Sequence, residues 1–265
     1  MQLITTTKPL LAGVMFLVAT HAHATLTNYT ASGQEVVYSS VSNVTWTKDA
    51  NLLGSMFASQ GFNTVVNAII AASPTITHTP NTFNPSGTYF LSSTDFRSNG
   101  NGSLTWFGAI AFINYLNSIK YAGTSQWRLP TVATLTRGYN TSTNGTIAGD
   151  ELVELFYSEL GSKGAFDIDG NRTLGRYGIS DPDQKFENVR KDNFWTNTEA
   201  NSLSFDMAWR LDADDGEQGS SLKANYNFVC AVSPGRIAAV PEPESVAMLL
   251  LGLGVVAGVV RRRCG

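Results

Sequence analysis

Histidine and cysteine are nearly missing from this chain, with 3 and 2 of them in 265 residues. His21 and His23 sit in an apolar N-terminal leader and Cys264 is the penultimate residue, so the body keeps only His78 and Cys230. One cysteine forbids an internal disulfide, and stability must come from a hydrophobic core. One histidine excludes a histidine-rich zinc site within a single chain. Any Ser-His-Asp triad would have to use His78, whose Thr/Pro/Asn-rich surroundings suit a solvated loop residue better. Cys230 lies in Phe228-Val229-Cys230-Ala231-Val232, a buried-strand pattern that predicts an inert core thiol rather than a nucleophile. Positive charge is also short: residues 25–240 carry 14 basic and 19 acidic side chains, a net charge of −5. That sign excludes general attraction to nucleic acid or anionic lipid.

What is present is concentrated first at the two ends. Lys8 precedes the apolar stretch Leu10 to Ala19, and Ala22-His23-Ala24 has the small-x-small pattern of a signal-peptidase site. Residues 1–24 therefore read as a signal peptide that takes the chain through the Sec translocon and is cut after Ala24. The stretch is far too short for a membrane span. At the other end stand Pro241-Glu242-Pro243, an uncharged run over 245–260, and Arg261-Arg262-Arg263. A helix over that run would be roughly 24 Å long, marginal against a bilayer core of about 30 Å. The arginines would stay on the cytoplasmic side, which leaves the body exported.

This tail resembles the PEP-CTERM sorting signal of Gram-negative bacteria: Val240, Pro241, Glu242 and Pro243 match its signature, the apolar helix follows, and Arg261, Arg262 and Arg263 close it. The resemblance implies a transient hold in the inner membrane and removal of residues 241–265 by the peptidase exosortase. It also implies a final place at the cell surface or in the extracellular matrix, in the context of exopolysaccharide and biofilm.

Within the exported body, residues 25–240, Glu35-Val36-Val37-Tyr38 and Val44-Thr45-Trp46 read as short strands around a turn at Ser42-Asn43. Val65, Val66, Ile69 and Ile70 recur at helical spacing over Asn63 to Ala72. The chain from Ser73 to Gly102 is rich in Ser, Thr, Asn, Pro and Gly, and the region 52–102 reads as an insertion in one domain. Phe107, Ile110, Ala111, Tyr115 and Ile119 predict a helix over Thr105 to Lys120, and Trp127-Arg128-Leu129 a short buried strand. A second helix is predicted from Asp150, its cap, to Leu160, with Leu152, Leu155, Phe156 and Leu160 facing inward. Phe205 to Leu211 and Asn225 to Val232 read as strands, the latter closing the fold. Two helices among many short strands and long loops make an α+β domain.

All five tryptophans fall in this body, in an order of motifs: Val44-Thr45-Trp46-Thr47-Lys48-Asp49, Leu104-Thr105-Trp106, Trp127-Arg128-Leu129-Pro130-Thr131, Phe194-Trp195-Thr196-Asn197-Thr198-Glu199, Ala208-Trp209, and the terminal Phe228 to Gly235. This series resembles the family of the C-terminal domain of the collagen-like adhesin Lcl. The resemblance implies a C-type-lectin-like fold, with two main helices, small antiparallel sheets and long loops on one side. Trp106, Trp127 and Trp209 read as core, since each buries about 150–250 Å² and its N–H seeks a partner. Arg128 must be paired if buried, and Asp49 or Glu199 is the expected partner.

Candidate binding residues are few. Asp167, Asp169 and Asn171 alternate like the start of a calcium loop, yet Gly178 stands where the twelfth-position acid belongs. Asp212 and Asp214, with Asp215 and Glu217, form a second acidic group. Calcium is thus the one ion with candidates, and no other cofactor is implied. Glu154, Glu159 and Asp206 could be proposed as a hydrolytic carboxylate pair, but nothing in their spacing selects them. These readings converge on a non-enzymatic exported protein that binds polysaccharide or another extracellular polymer. The alternatives are a structural matrix component without a specific ligand and, behind it, a polysaccharide-acting enzyme.

Overall fold

A computed structural model describes residues 26–77, 87–133, 135–139, 150–167, 169–200 and 206–239. The leader, the Pro-Glu-Pro tail with its apolar run, His78 and Phe205 lie outside these residues. Among the described residues no helix is long and apolar enough to cross a membrane.

The chain begins with a three-strand meander, β1 (Leu26–Ala31), β2 (Gln34–Ser39) and β3 (Val44–Thr47), in which a two-residue turn joins the first pair. The last strand, β10 (Val232–Pro234), returns from the far end of the sequence and adds antiparallel to β3. In the order β1-β2-β3-β10, Leu26 faces Ser39, Ser39 faces Val44, and Val44 faces Pro234. Strand alternation sends Ala31 and Val36 to one core and Val37, Val44, Trp46 and Val232 to another. The sheet is therefore an apolar partition with a hydrophobic cluster on either side.

The larger cluster is built by three helices: α1 (Leu52–Gln60), α2 (Phe62–Ala72) and α3 (Trp106–Ser118). The region 52–102, read from sequence as an insertion, thus supplies Leu53, Phe57, Val65 and Ile69 to the main core. It also holds the small hairpin β4 (Thr75–Thr77) and β5 (Thr88–Phe90). Helix α3 starts where the sequence places it. Thr105 Oγ1 accepts from the Gly108 N–H at 3.1 Å and donates to buried Asp95 at 2.7 Å. Tyr89 stacks on Phe107 with ring centroids 3.8 Å apart.

The second cluster packs beneath α4, which is Glu151–Val153 in α geometry continued by a π-helical turn, Glu154–Glu159. Leu152, Leu155, Phe156 and Leu160 are all buried, as the spacing predicts. Asp150 does not cap this helix. Its side chain reaches back and accepts from the Ala133 N–H at 2.6 Å, tying the helix start to the preceding segment. A second antiparallel sheet has the order β6-β9-β8-β7, with β6 (Gly138–Tyr139), β7 (Asn193–Glu199), β8 (Met207–Asp212) and β9 (Glu217–Leu222).

Two predicted strands are shorter than the pattern suggests. Trp127-Arg128-Leu129 makes a single bridge, Arg128 to Val232, and the closing strand begins at Val232 rather than Asn225. Between them, Asn227 and Phe228 bridge singly to Leu104 and Phe194, so pairing is divided among partners and no continuous ladder forms.

All five tryptophans are buried. Trp106, Trp127 and Trp195 donate to the carbonyls of Thr196, Tyr121 and Leu104 at 2.8, 2.8 and 3.0 Å. The indole N–H groups of Trp46 and Trp209 find no acceptor among the described residues. Asn117 clamps the Trp-Arg-Leu-Pro segment from both sides, donating to the Trp127 carbonyl and accepting its N–H.

Arg128 pairs with neither Asp49 nor Glu199. Glu151 takes it in a two-pronged contact, at 2.7 and 2.6 Å, and also accepts the Thr131 N–H at 2.8 Å. The two expected partners are engaged elsewhere. Asp49 accepts from Ser55, Asn51 and Asn188, while Glu199 accepts from fully buried Lys223 at 2.5 Å. The Lys223 ammonium also lies over the Trp106 ring, 4.7 Å from its centroid, where the aromatic face offsets part of its desolvation.

Candidate functional site: a basic cleft between long loops

Between α4 and β7 the chain runs for more than thirty residues without a regular element. It is nevertheless held closely. Gly161 turns out of α4 with φ of +61°. Buried Ser162 bonds both backbone groups of Ser180, accepting its N–H at 3.0 Å. The Gly178 N–H donates to the Lys163 carbonyl at 2.8 Å, and Phe166 bridges Arg172, which makes an irregular hairpin of the segment. Its base is docked on the β8–β9 turn: Ala165 N–H donates to Asp215 and Ile179 N–H to Ala213. Gly178 has φ of +92°, and a Cβ there would lie 2.4 Å from the Asp214 carbonyl oxygen. Gly216, across the same contact, has φ of +83° and lies under the Tyr157 hydroxyl, which donates to its carbonyl at 2.8 Å. Only glycine accommodates such a backbone approach at positive φ.

This framework leaves an open cleft of about 400 Å³. Lys163, Arg176 and Lys191 line it, with Tyr177, Leu174 and Ser162. The three cations come from separate parts of the loop and are exposed, and none of them forms an ion pair among the described residues. Leu174 is 92% exposed and Tyr177 38%, so apolar and aromatic surface is held in water beside the charges. A concave site with aromatic and cationic groups can stack on a ring and pair with carboxylate or sulfate.

Two family models match the chain. One, described as the Lcl C-terminal domain, covers residues 35–233. The chain belongs to the Lcl C-terminal domain family. The other, the PEP-CTERM protein-sorting motif, covers residues 239–263, and it marks the protein as an exported substrate of exosortase. No curated protein and no solved structure matches.

The cleft in this Lcl C-terminal domain uses none of the acidic residues that the sequence singles out. Asp167 closes the hairpin tip on itself, accepting from the N–H groups of Asn171 at 2.8 Å and Asp169 at 3.0 Å. The Asn171 backbone hydrogen bond is the main influence holding its carboxyl below the usual range. Asp212 accepts the Asp214 N–H and lies 3.7 Å from Arg210, and burial pushes its carboxyl up. Among the described residues no three His, Cys, Asp or Glu side chains gather as metal ligands. Cys230 is buried near Thr47, and burial pushes its thiol up to about 12. The pocket beneath α4, lined by Leu152, Phe156, Phe194 and Cys230, is wholly apolar at about 30 Å³ and is a packing gap in the second core. Sequence reasoning missed the cleft because Lys163, Arg176 and Lys191 form no run and share no period; only the hairpin brings them together.

Proposed function

We propose that this domain is a C-type-lectin-like module that binds an acidic extracellular polysaccharide in the cleft of Lys163, Arg176, Lys191 and Tyr177, after export and exosortase processing. The single observation that carries the reading is the convergence, beside an exposed aromatic ring, of three cations that form no ion pair among the described residues, on a body whose net charge is −5. On a body of net negative charge, a local basic cleft supplies both affinity and placement for a polyanion. The lectin-like assignment is supported by the topology: the last strand pairs with the opening meander, helices flank the sheet, and long loops carry the open site.

The test is binding to an immobilised uronate-rich polysaccharide. Replacing Lys163, Arg176 and Lys191 together by Gln should weaken binding at least tenfold, on the order of 1 kcal/mol or less for each exposed contact. Raising salt from 0.05 to 0.5 M should weaken the wild type far more than the triple variant. Equal binding by both proteins, or wild-type binding that salt does not touch, overturns the proposal.

A further inference from the structure

Two aromatic rings outside the cleft meet where β6, the loop hairpin and the β8–β9 turn come together. Tyr139 ends β6 directly opposite Glu217 on β9, so the two side chains share one face of the second sheet. Phe166 comes from the hairpin and leans on the Tyr139 ring, with centroids 5.1 Å apart and planes inclined at 51°. Both are anchored on Asp215. Its carboxylate accepts the Tyr139 hydroxyl at 3.2 Å and the Glu217 N–H at 2.8 Å. Its carbonyl accepts the N–H of Ala165, the neighbour of Phe166. Phe166 is nevertheless 38% exposed, Tyr139 is half-buried, and neither ring belongs to a hydrophobic cluster of the core. Their packing therefore fills no interior, and holds aromatic surface rigidly in water.

The polar groups at the edge of this pair suit hydroxyls better than an anion. Arg137 donates its Nε–H to Glu217 Oε1 at 2.8 Å, which brings its guanidinium to the same face. The side chain is 74% exposed, and its terminal amino groups make no hydrogen bond among the described residues. Around it, Asp212, Asp214, Asp215 and Glu217 outnumber Arg137 and Arg210, so the local charge disfavours an acidic sugar. A pyranose has an apolar C–H face and a rim of hydroxyls, and a fixed aromatic surface with a few polar groups at its edge matches both. We propose that Phe166, Tyr139 and Arg137 form a second carbohydrate subsite that takes a neutral pyranose, its C–H face on the Phe166 ring and its hydroxyls on the Arg137 guanidinium. The proposal rests on the reading of the domain as a polysaccharide binder. Phe166 is three residues from Lys163, no more than about 11 Å along the chain, which puts the subsite and the cleft within reach of one polymer.

The probes are neutral hexasaccharides of glucose, mannose and galactose, added to isotope-labelled protein recovered from cells. At least one should move the Phe166 and Tyr139 ring resonances, saturate in the millimolar range, and be unaffected by added salt. Phe166→Ala should weaken that binding at least tenfold, and Arg137→Gln several-fold. Phe166→Trp, which keeps a stacking face, should retain it, and this separates loss of the ring from loss of the fold. Phe166→Ala should still bind polyuronate, and the Lys163, Arg176 and Lys191 triple Gln variant should still bind the neutral probe. No ring movement with any of the three sugars, full binding by Phe166→Ala, or loss of the neutral probe in the triple variant overturns the second subsite. Neutral binding at Phe166 with no polyuronate binding by the wild type supports this subsite and overturns the cleft reading instead.

Discussion

Arg128 and Glu151 form a partly buried ion pair beside the second core. The pair ties the Trp-Arg-Leu-Pro segment to the first turn of α4, and Glu151 is nearly buried, with 8% of its side chain exposed. Replacing Arg128 by Met leaves that carboxylate without its cation, and should lower the unfolding free energy by about 3 kcal/mol in urea titrations. Glu151→Gln, which keeps the shape, should lose less. That Arg128 needs a carboxylate is legible from its place among buried aromatics. Which carboxylate is not, because the two-pronged geometry depends on how α4 is set against residues 128–131. The same applies to Lys223: its sequence neighbours give no sign of a fully buried ammonium, and only the fold places Glu199 and the Trp106 ring around it.

Among elements, those with a strong period are the ones the sequence discloses. α3 and α2 follow from apolar spacing, and the inner face of α4 was legible to the residue. α1 carries Leu52, Leu53, Met56 and Phe57 on one face, but Gly54 and the break at Gly61 disguise it as part of a loop-rich excursion. β1 is hidden differently, since Leu26–Ala31 has few apolar residues to show its alternation. The loop hairpin has no periodic signal at all, and its form depends on single backbone contacts. Gly178→Ala should therefore be costly out of proportion to its size. The strain of a side chain at φ of +92° is roughly 1–2 kcal/mol, and the Asp214 carbonyl blocks the space as well. We expect a loss of at least that amount in chemical denaturation, with a weakening of polysaccharide binding, because the cleft wall must move.

At the scale of the whole molecule, the sorting signal and the domain behave as separate instructions, one for destination and one for cargo. Protein recovered from cells should give an intact mass running from Thr25 to near Pro241. A chain that retains residues 241–265 would mark the tail as a lasting anchor rather than a processed one. The family and its α+β class were legible from the order of tryptophan motifs, which is dictated by core packing. The binding face was not, because exposed cations are free of packing constraints and leave no spacing rule to read.

The row Leu26–Ser39–Val44–Pro234 across the first sheet has a geometric consequence. β1 starts on that row and β10 ends on it, three strand spacings apart, or about 14 Å. The first strand therefore starts, and the last strand ends, at the same pole of the sheet. Beyond β10 the chain turns back over the sheet: Arg236 lies over the Tyr29 ring, 4.9 Å from its centroid, and the Ile237 N–H donates to Thr45 Oγ1 at 3.4 Å. The two extremes of the described chain are thus fastened to each other, β1 through Tyr29 and the segment after β10 through Arg236.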